Sequence, residues 1–574
     1  MYDYIIGPFL GAPNPGTVKI IIGIPEKNNT NVSELFCALY ENTMEEPFAV
    51  EKAKKQYNQF GLFEFQINIE NKPNNKKVYY KFYTTYEKEL KSELFLGESL
   101  NYKDCFFYPF SGFKENDSFI FLSCHNPFEL DEGCVGDGWA MWKELSKLLE
   151  KDHSIKCILM CGDQVYNDVI EKEYQFKKLK KHSINNWLID KFILNYFKYW
   201  DNNHYRKVFS QIPSLCIWDD HDITDGWGTR SDFLDHENNI SDRWKKYFEV
   251  AQESYMCYQH SRNHSFIPNI PQNVLSHYYI SDSNLFYFLD LRSERNYAKK
   301  VIVSERHKNG FLEHLLNSIR SKHIRNVFIL LPVIPFRTNF EGDKRLGLIS
   351  KAILYVTKII KDNERKLISK YEWIVGFFFI LLLGLKFYFD FNNKLSIILN
   401  IAVYSLLALS LIYYFLKYFV SKIEFIGELT DDIEDGLSSS NLPFLVHILK
   451  QFFNLQDQQK DLKITILSGD IHLGGLTEIL CRKTNPSKSI LQIVSSPISN
   501  APMKKAAAGL TTTTSEQCCD CNEHILFRNV FFTSKRNFVQ IFPNQLANDN
   551  GVRPIKFYFE GHSEPICFTS KFND

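Results

Sequence analysis

The sequence predicts an α/β chain that opens with an all-β part and carries a helical hairpin inserted late. Three observations lead there. Residues 117–163 run strand, helix, strand; residues 1–110 are rich in β-branched and aromatic runs; and residues 373–419 form a nearly uncharged apolar stretch.

The runs "TVKIIIGI" (17–24), "FEFQINIE" (63–70) and "KKVYYKFYTT" (76–85) are separated by Asn, Pro and Gly turns, which predicts a small N-terminal β-sandwich domain over 1–112. From about 115 the texture changes. "DSFIFLSC" (117–124) and "IKCILMCGD" (155–163) are apolar strands, and "GWAMWKELSKLLEKD" (138–152) between them has helical periodicity. That order is the α/β signature, and it puts Cys124 and Asp163 at the carboxyl ends of neighbouring strands, where such sheets bind ligands. Further strands are read at 214–220, 285–292, 326–334 and 463–470, and helices at 184–199 and 306–320. The stretches 523–542 and 554–561 read as edge strands or a hairpin. The α/β domain is divided accordingly into 113–360 and 423–574.

The insertion, 361–422, is read as a transmembrane hairpin. Residues 395–416 contain no charged side chain, and at 1.5 Å per residue they reach across a hydrocarbon core of about 30 Å. The first arm, 373–391, is interrupted by Lys386, which must snorkel to the interface. Lys358, Lys361, Arg365, Lys366, Lys370, Lys417 and Lys422 flank the hairpin, against Lys386 and Lys394 near its tip. The positive-inside rule then gives a two-span membrane protein with its soluble parts on the cytosolic side.

Lys plus Arg and Asp plus Glu both total 67, so formal charge is zero and long nucleic acid is a poor partner. Thirteen cysteines, odd in number and scattered, do not form a secreted disulfide framework. The start, "MYDYIIGPFLGAPNPG", has Asp3 early, no basic region and only a short apolar stretch, and does not read as a signal peptide. A reducing compartment is expected.

Three strand ends carry chemistry: "MCGDQVYND" (160–168), "WDDH" (218–221) and "SGDIHLGG" (468–475). Each alone is a weak signal. Together they present an acid at every end and an imidazole at two, which predicts a metal centre in one cleft. Carboxylate oxygens with imidazole nitrogens suit Mn, Fe, Zn or, with oxygen-rich ligation, Ca.

"SC" (123–124), "GDQVY" (162–166), "WDDHDITDGWG" (218–228), "FLDLRSER" (288–295), "GELTDDIED" (427–435) and "SGDIH" (468–472) resemble, in order, the blocks of the PhoD-like metallophosphatases of the calcineurin-like metallophosphoesterase superfamily. The resemblance covers most of 115–510, and the opening 7–24 is more loosely similar to that family's N-terminal β-sandwich. It implies a two-sheet α/β sandwich holding two metal ions, Fe with Ca or else Mn or Zn. Asp163 would bridge the metals, with Cys124 and Tyr166 at the first. Asp220 would replace the superfamily's usual Asn ligand, and Asp470 and His472 would form a late pair, one for each metal. His221 would contact phosphate and donate a proton, and Arg292 and Arg295 would lie near the phosphate. No histidine occurs at 328–338 to match a further superfamily ligand, which leaves the second metal more weakly held or oxygen-ligated.

Plainer readings stand beside these. Cys124 also fits a buried strand-end thiol, and Tyr166 an aromatic lid. Asp219 reads as a turn cap or as the group orienting His221. Asp222 and Asp225 read as solvated turn residues or partners of basic side chains, and Arg292 as a partner of Asp290 or another carboxylate. Asp431 and Asp432 fit either the family pattern or a helix cap, and "CCDCNEH" (518–524) reads as a loop rather than a zinc site. The expected activity is hydrolysis of phosphate esters by a metal-activated hydroxide, with membrane or lipid phosphates as substrates suggested by the hairpin. A catalytically silent, membrane-anchored phosphate-binding protein and a nucleotide phosphodiesterase are the alternatives. Oligomeric state is left open.

Overall fold

Strands in the first hundred residues alternate apolar and polar side chains, as in Phe63 to Asn68, where Phe63, Phe65 and Ile67 are buried and Gln66 and Asn68 exposed. Such strands bury one face only, so they pair antiparallel into sheets that need a partner. The computed structural model describes residues 5–570 apart from 25–33, 43–45, 57–59, 71, 74, 87–88, 98, 130–135, 177–180, 297, 300, 334–441, 482–488, 504–515, 519–524 and 546–552. In it β1 (Ile6–Leu10), β2 (Thr17–Gly23), β5 (Lys54–Gln56) and β6 (Leu62–Asn68) form one sheet in the order β1-β2-β6-β5. A second sheet has the order β4-β3-β7-β8, from β3 (Leu35–Tyr40), β4 (Ala49–Lys52), β7 (Val78–Tyr86) and β8 (Glu89–Glu93), with β9 (Phe106–Phe107) added on β7. Their apolar faces share one core, in which Ile20, Ile22, Phe65 and Ile67 meet Cys37, Leu39, Tyr80 and Phe82.

Beyond residue 115 the strands become unbroken apolar runs, the mark of parallel strands covered on both faces. One mixed sheet runs β12-β11-β10-β22-β23-β24. It comprises β10 (Ser118–Leu122), β11 (Ile155–Cys161), β12 (Ser214–Ile217), β22 (Asn537–Ile541), β23 (Arg553–Phe559) and β24 (Ile566–Ser570). The other runs β13-β14-β15-β16-β17-β19-β18-β21-β20. Its parallel centre is β15 (Asn284–Phe288), β16 (Asn326–Leu331), β17 (Lys463–Ser468) and β19 (Ser489–Val494). On one side lie β13 (Ser265–Phe266) and β14 (His277–Ser281), and on the other β18 (Gly474–Cys481), β21 (Ile525–Thr533) and β20 (Glu516–Cys518).

Residue parity divides the buried surface of this second sheet. Phe286 and Phe328 point toward the first sheet and meet Phe119 of β10 at 5.4 and 5.1 Å between ring centres. Leu285, Tyr287, Val327, Ile329, Ile464 and Ile466 point the other way, onto helices α6 (Glu305–Ser321) and α7 (Leu442–Gln458) through Phe311, Leu315, Leu449 and Phe452. Each apolar side chain buried in this way contributes about 1.5–3 kcal/mol. The first sheet is covered by α1 (Ala140–Lys151), α3 (Lys181–Trp200), α4 (Asn203–Phe209) and α5 (Asp242–Tyr258), whose Trp142, Phe192, Phe209 and Tyr255 are buried in the same core. A short helix, α2 (Asp168–Phe176), follows the end of β11. The described residues all belong to one unit, Met1–Thr338 with Gly436–Asp574.

The α/β sandwich is therefore as expected, and the membrane reading is corrected. Among the described residues no helix is long and apolar enough to cross a membrane. The longest, α3, carries Lys181, Asp190, Lys191 and Lys198, charges that a hydrocarbon core would not admit. The expected hairpin at 373–419, its basic flanks, and Asp431 and Asp432 lie outside the described residues. The inserted membrane hairpin, the membrane as a partner and the two-span, cytosol-facing placement are accordingly withdrawn. The segment 506–514 and residues Cys519, Cys521 and His524 also lie outside the described residues. Of the C-terminal stretches read as edge strands or a hairpin, β22 pairs antiparallel with the next strand, β23, as expected of a hairpin, while β21 joins the other sheet and β22 lies between β10 and β23 rather than at an edge.

Buried histidines link this packing to pH. Burial drives the His125 and His260 imidazoles down to about 3 and His277 well below the ordinary 6.5. His277 lies flat against Phe288 at 4.4 Å, and its Nε2 has no hydrogen-bond partner among the described residues. Since the folded-state values are depressed, these groups stabilise the fold fully above about pH 6.5 and lose that contribution as pH falls toward 3. Chelator-treated protein should melt at a lower temperature at pH 5 than at pH 7.5, with a shallower decline in His277→Phe. A melting temperature indifferent to this interval would overturn the assignment.

Candidate metal centre

The acidic motifs sit where strands from both sheets stop. Asp163 follows β11, Asp219 and Asp220 follow β12, and Asp470 follows β17. At these ends the backbone turns sharply: Cys124, Asp163, Asp470 and His472 all adopt left-handed φ between 53° and 73°. L-residues with side chains rarely hold that conformation, and it is typically retained where the surroundings impose it at functional sites. The glycine before each "GD" aspartate has its own cause. A Cβ on Gly162 (φ +83°) would lie 2.6 Å from Asp219 Cβ, and one on Gly469 would lie 2.6 Å from both Cys161 O and Ser123 Oγ. The two sheets thus approach each other at their carboxyl ends closely enough to exclude a methyl group.

Asp222 ties the loops together. Its carboxylate accepts backbone N–H bonds from Asp163 (2.9 Å), Gln164 (3.1 Å), Val165 (3.3 Å) and Asp219 (2.9 Å), and one from Gln259 Nε2 (2.8 Å). The sequence suggested a solvated turn residue here; the side chain is fully buried, because four backbone donors at two strand ends need an acceptor. Asp225, which opens the Asp-Gly-Trp-Gly end of the motif, is exposed as expected.

The result is two overlapping donor sets. One oxygen each from Asp163, Asp219, Asp220 and Asp470 lie within 4.8 Å of one another, and so do atoms of Asp163, Asp220 and His221. Asp163 and Asp220 belong to both. Asp163 Oδ1 is buried without a hydrogen-bond partner among the described residues, while Oδ2 accepts a 3.3 Å bond from Cys124 Sγ. Burial, then the nearby Asp219, Asp220 and Asp222, push the Asp163 carboxyl well above its ordinary range, with His221 opposing. A carboxylate cluster so crowded is what a cation would relieve, and its oxygen-rich donor set fits hard metals.

The predicted residues fall into place unevenly. Asp163, Asp220 and Asp470 converge. Cys124 borders them: its Sγ lies 3.0 Å from Ser496 Oγ, and burial, followed by Asp163, raises it into the neutral thiol form. Its proton would have to leave on binding metal. Tyr166 is buried, with its ring centre 4.2 Å from that of His221. His472 meets Asn500 at 3.0 Å through Nε2, and burial lowers its imidazole to about 3, leaving a lone pair for a ligand. Asp219 Oδ1 pairs with Arg292 Nε, and the carboxylate at His221 Nδ1 is that of Asp168. Arg292, fully buried, also lies 3.2 Å from Asp220. Asp290 accepts the Arg292 backbone N–H instead. Burial disfavours the Asp220 anion, but Arg292, His221, the Gly226 N–H and Arg295 outweigh it and bring the group to about 2. Arg295 is buried close by, its Cβ against Gly228.

Two functional contacts escaped the sequence reading. Asp168 is the group that orients His221, at 3.0 Å from Nδ1. Burial works against the charged imidazole there, and Asp168 and Asp220 overcome it, so His221 is held protonated. Asp168 lies five residues after Asp163, a spacing visible in "GDQVYND". The second is the segment "SSPISN" (495–500) after β19, which reaches Cys124 and His472. An apolar strand ending in polar residues was its only signal.

Residues 119–326 match the family model described as PhoD-like phosphatase, a span that takes in Cys124 through Arg295 but not Asp470 or His472. The uncharacterized protein YGR266W of Saccharomyces cerevisiae is 28% identical over 184 residues, or 27% of this chain. The match spans only 25% of that relative's length. A solved structure of PhoD superposes with a TM-score of 0.54 at 12% identity, covering 99% of this chain and 93% of that one, a likeness of fold. The span of the family match takes in Asp163, Asp219, Asp220 and His221 of the paired acidic clusters, and the fold around them is similar to that of the solved PhoD structure.

Proposed function

We propose that this centre hydrolyses phosphate esters with two bound cations. Asp163 and Asp220 would be shared between them, with Cys124, Tyr166, Asp470 and His472 completing the set. The observation that carries the reading is the meeting of carboxylates from three strand ends within 4.8 Å, one of them with a buried, unsatisfied oxygen. Bound cations would supply charge neutralisation at the phosphoryl oxygens and a lowered pKa for water.

The two imidazoles divide the remaining work. His472 is held neutral and suits a ligand; His221 is held charged and has no lone pair to give. With Nδ1–H donating to Asp168, His221 has Nε2–H left to protonate a leaving oxygen. Asp168 thereby fixes both the tautomer and the direction of the ring. The lipid preference expected from the hairpin goes with it, and the substrate class stays at phosphate esters.

The full-length chain should turn over aryl phosphate mono- or diesters after loading with Mn, Fe, Zn or Ca, and chelation should abolish this. Metal and phosphate binding without turnover would instead mark a silent binding protein. His221→Ala should lower kcat about a hundredfold with metal content unchanged. Loss of metal in that variant would make His221 a ligand.

A further inference from the structure

Asn500 lies beyond β19 and is 3% exposed. Its Oδ1 accepts the Ala501 backbone N–H at 2.7 Å, which fixes how the amide is turned. Nδ2 then faces two acceptors, Tyr166 Oη at 2.9 Å and His472 Nε2 at 3.0 Å. An amide nitrogen only donates, so both partners must present lone pairs to it. Those are the lone pairs that the phosphoesterase reading assigns to a metal. The segment itself is anchored: Ser496 Oγ reaches Cys124 Sγ at 3.0 Å and accepts the His472 N–H at 3.1 Å, while Ser499 Oγ holds His125 Nδ1 at 2.8 Å.

We infer that Asn500 is a positioning residue whose amide holds Tyr166 and His472 with their lone pairs converged on one cation position, standing in for the cation until metal is bound. This rests on the reading of Tyr166 and His472 as metal-holding residues. It explains why a buried tyrosine and a buried neutral imidazole from different strand ends face one point. Packing alone would satisfy each separately.

Two variants of the full chain test it by titration of the metal-free protein with Mn(II) alone. Asn500→Ala removes the amide, and one cation should bind about tenfold more weakly, as for loss of a group that orients metal ligands. Asn500→Asp keeps the size but sets an anion at that point; the metal-free form should melt lower and one cation should bind more tightly than in the wild type. Opposite shifts in affinity support the inference. A purely packing role would lower both melting temperatures and leave both affinities alone, and that result overturns it. If Asn500→Ala fails to fold, Asn500→Asp binding no tighter than wild type does the same. Wild-type protein that binds no cation removes the metal reading as well, which separates the two failures.

Discussion

Asp163→Asn is expected to cost at least about a hundredfold in phosphoester turnover, in the range found when a preorganised charge is removed from a site. The same substitution should raise the melting temperature of the metal-free chain. Both effects have one origin. Asp163 sits in both donor sets, with Oδ1 buried and unsatisfied and with Asp219, Asp220 and Asp222 close enough to disfavour its charge. Without cations that anion is a liability, because burial and like charges act together on it. With cations it is the group they share. An amide of the same size therefore relieves the metal-free fold and disables the loaded one. The checks are a melting curve after chelation, metal content, and turnover of an aryl phosphate. More than a tenth of the activity remaining, or a lower melting temperature without metal, would show that Asp163 is an ordinary structural acid.

What could be read from the sequence followed strand by strand from burial. "NVFILL" and "IKCILMC" are apolar on both faces because helices cover one side and the opposing sheet the other, so those elements announced themselves. The carboxyl ends of "IKCILMC", "SLCI" and "KITILS" pointed to Asp163, Asp220 and Asp470. The partners of those acids were harder to see. Asp222 sits in an acidic turn that reads as solvated, and only the fold brings four backbone donors to it. Asp168 lies at the first turn of α2, where an acid is unremarkable, yet the "WDDH" loop delivers His221 to it. Asn500 lies 334 positions from Tyr166, a separation no local pattern spans. The hairpin reading rested on hydropathy and flanking charge alone, and among the described residues no helix is long and apolar enough to cross a membrane.

Arg292 shows how the same residue can be given opposite jobs. The sequence allowed a phosphate contact or a carboxylate partner; in the fold its Nε pairs with Asp219 and its guanidinium lies 3.2 Å from Asp220. All three side chains are buried. Breaking such a pair from one side leaves uncompensated charge, which costs about 3–5 kcal/mol. Arg292→Gln should accordingly unfold at a distinctly lower denaturant concentration after chelation. Cations bound beside Asp219 and Asp220 can neutralise the stranded acids, so adding Mn(II) should recover more stability in the variant than in the wild type. An arginine that served phosphate would behave otherwise, with stability and its metal dependence unchanged and KM raised. Denaturation with and without Mn(II), set beside KM for one phosphoester, therefore decides whether Arg292 braces the acidic centre from behind or faces the substrate.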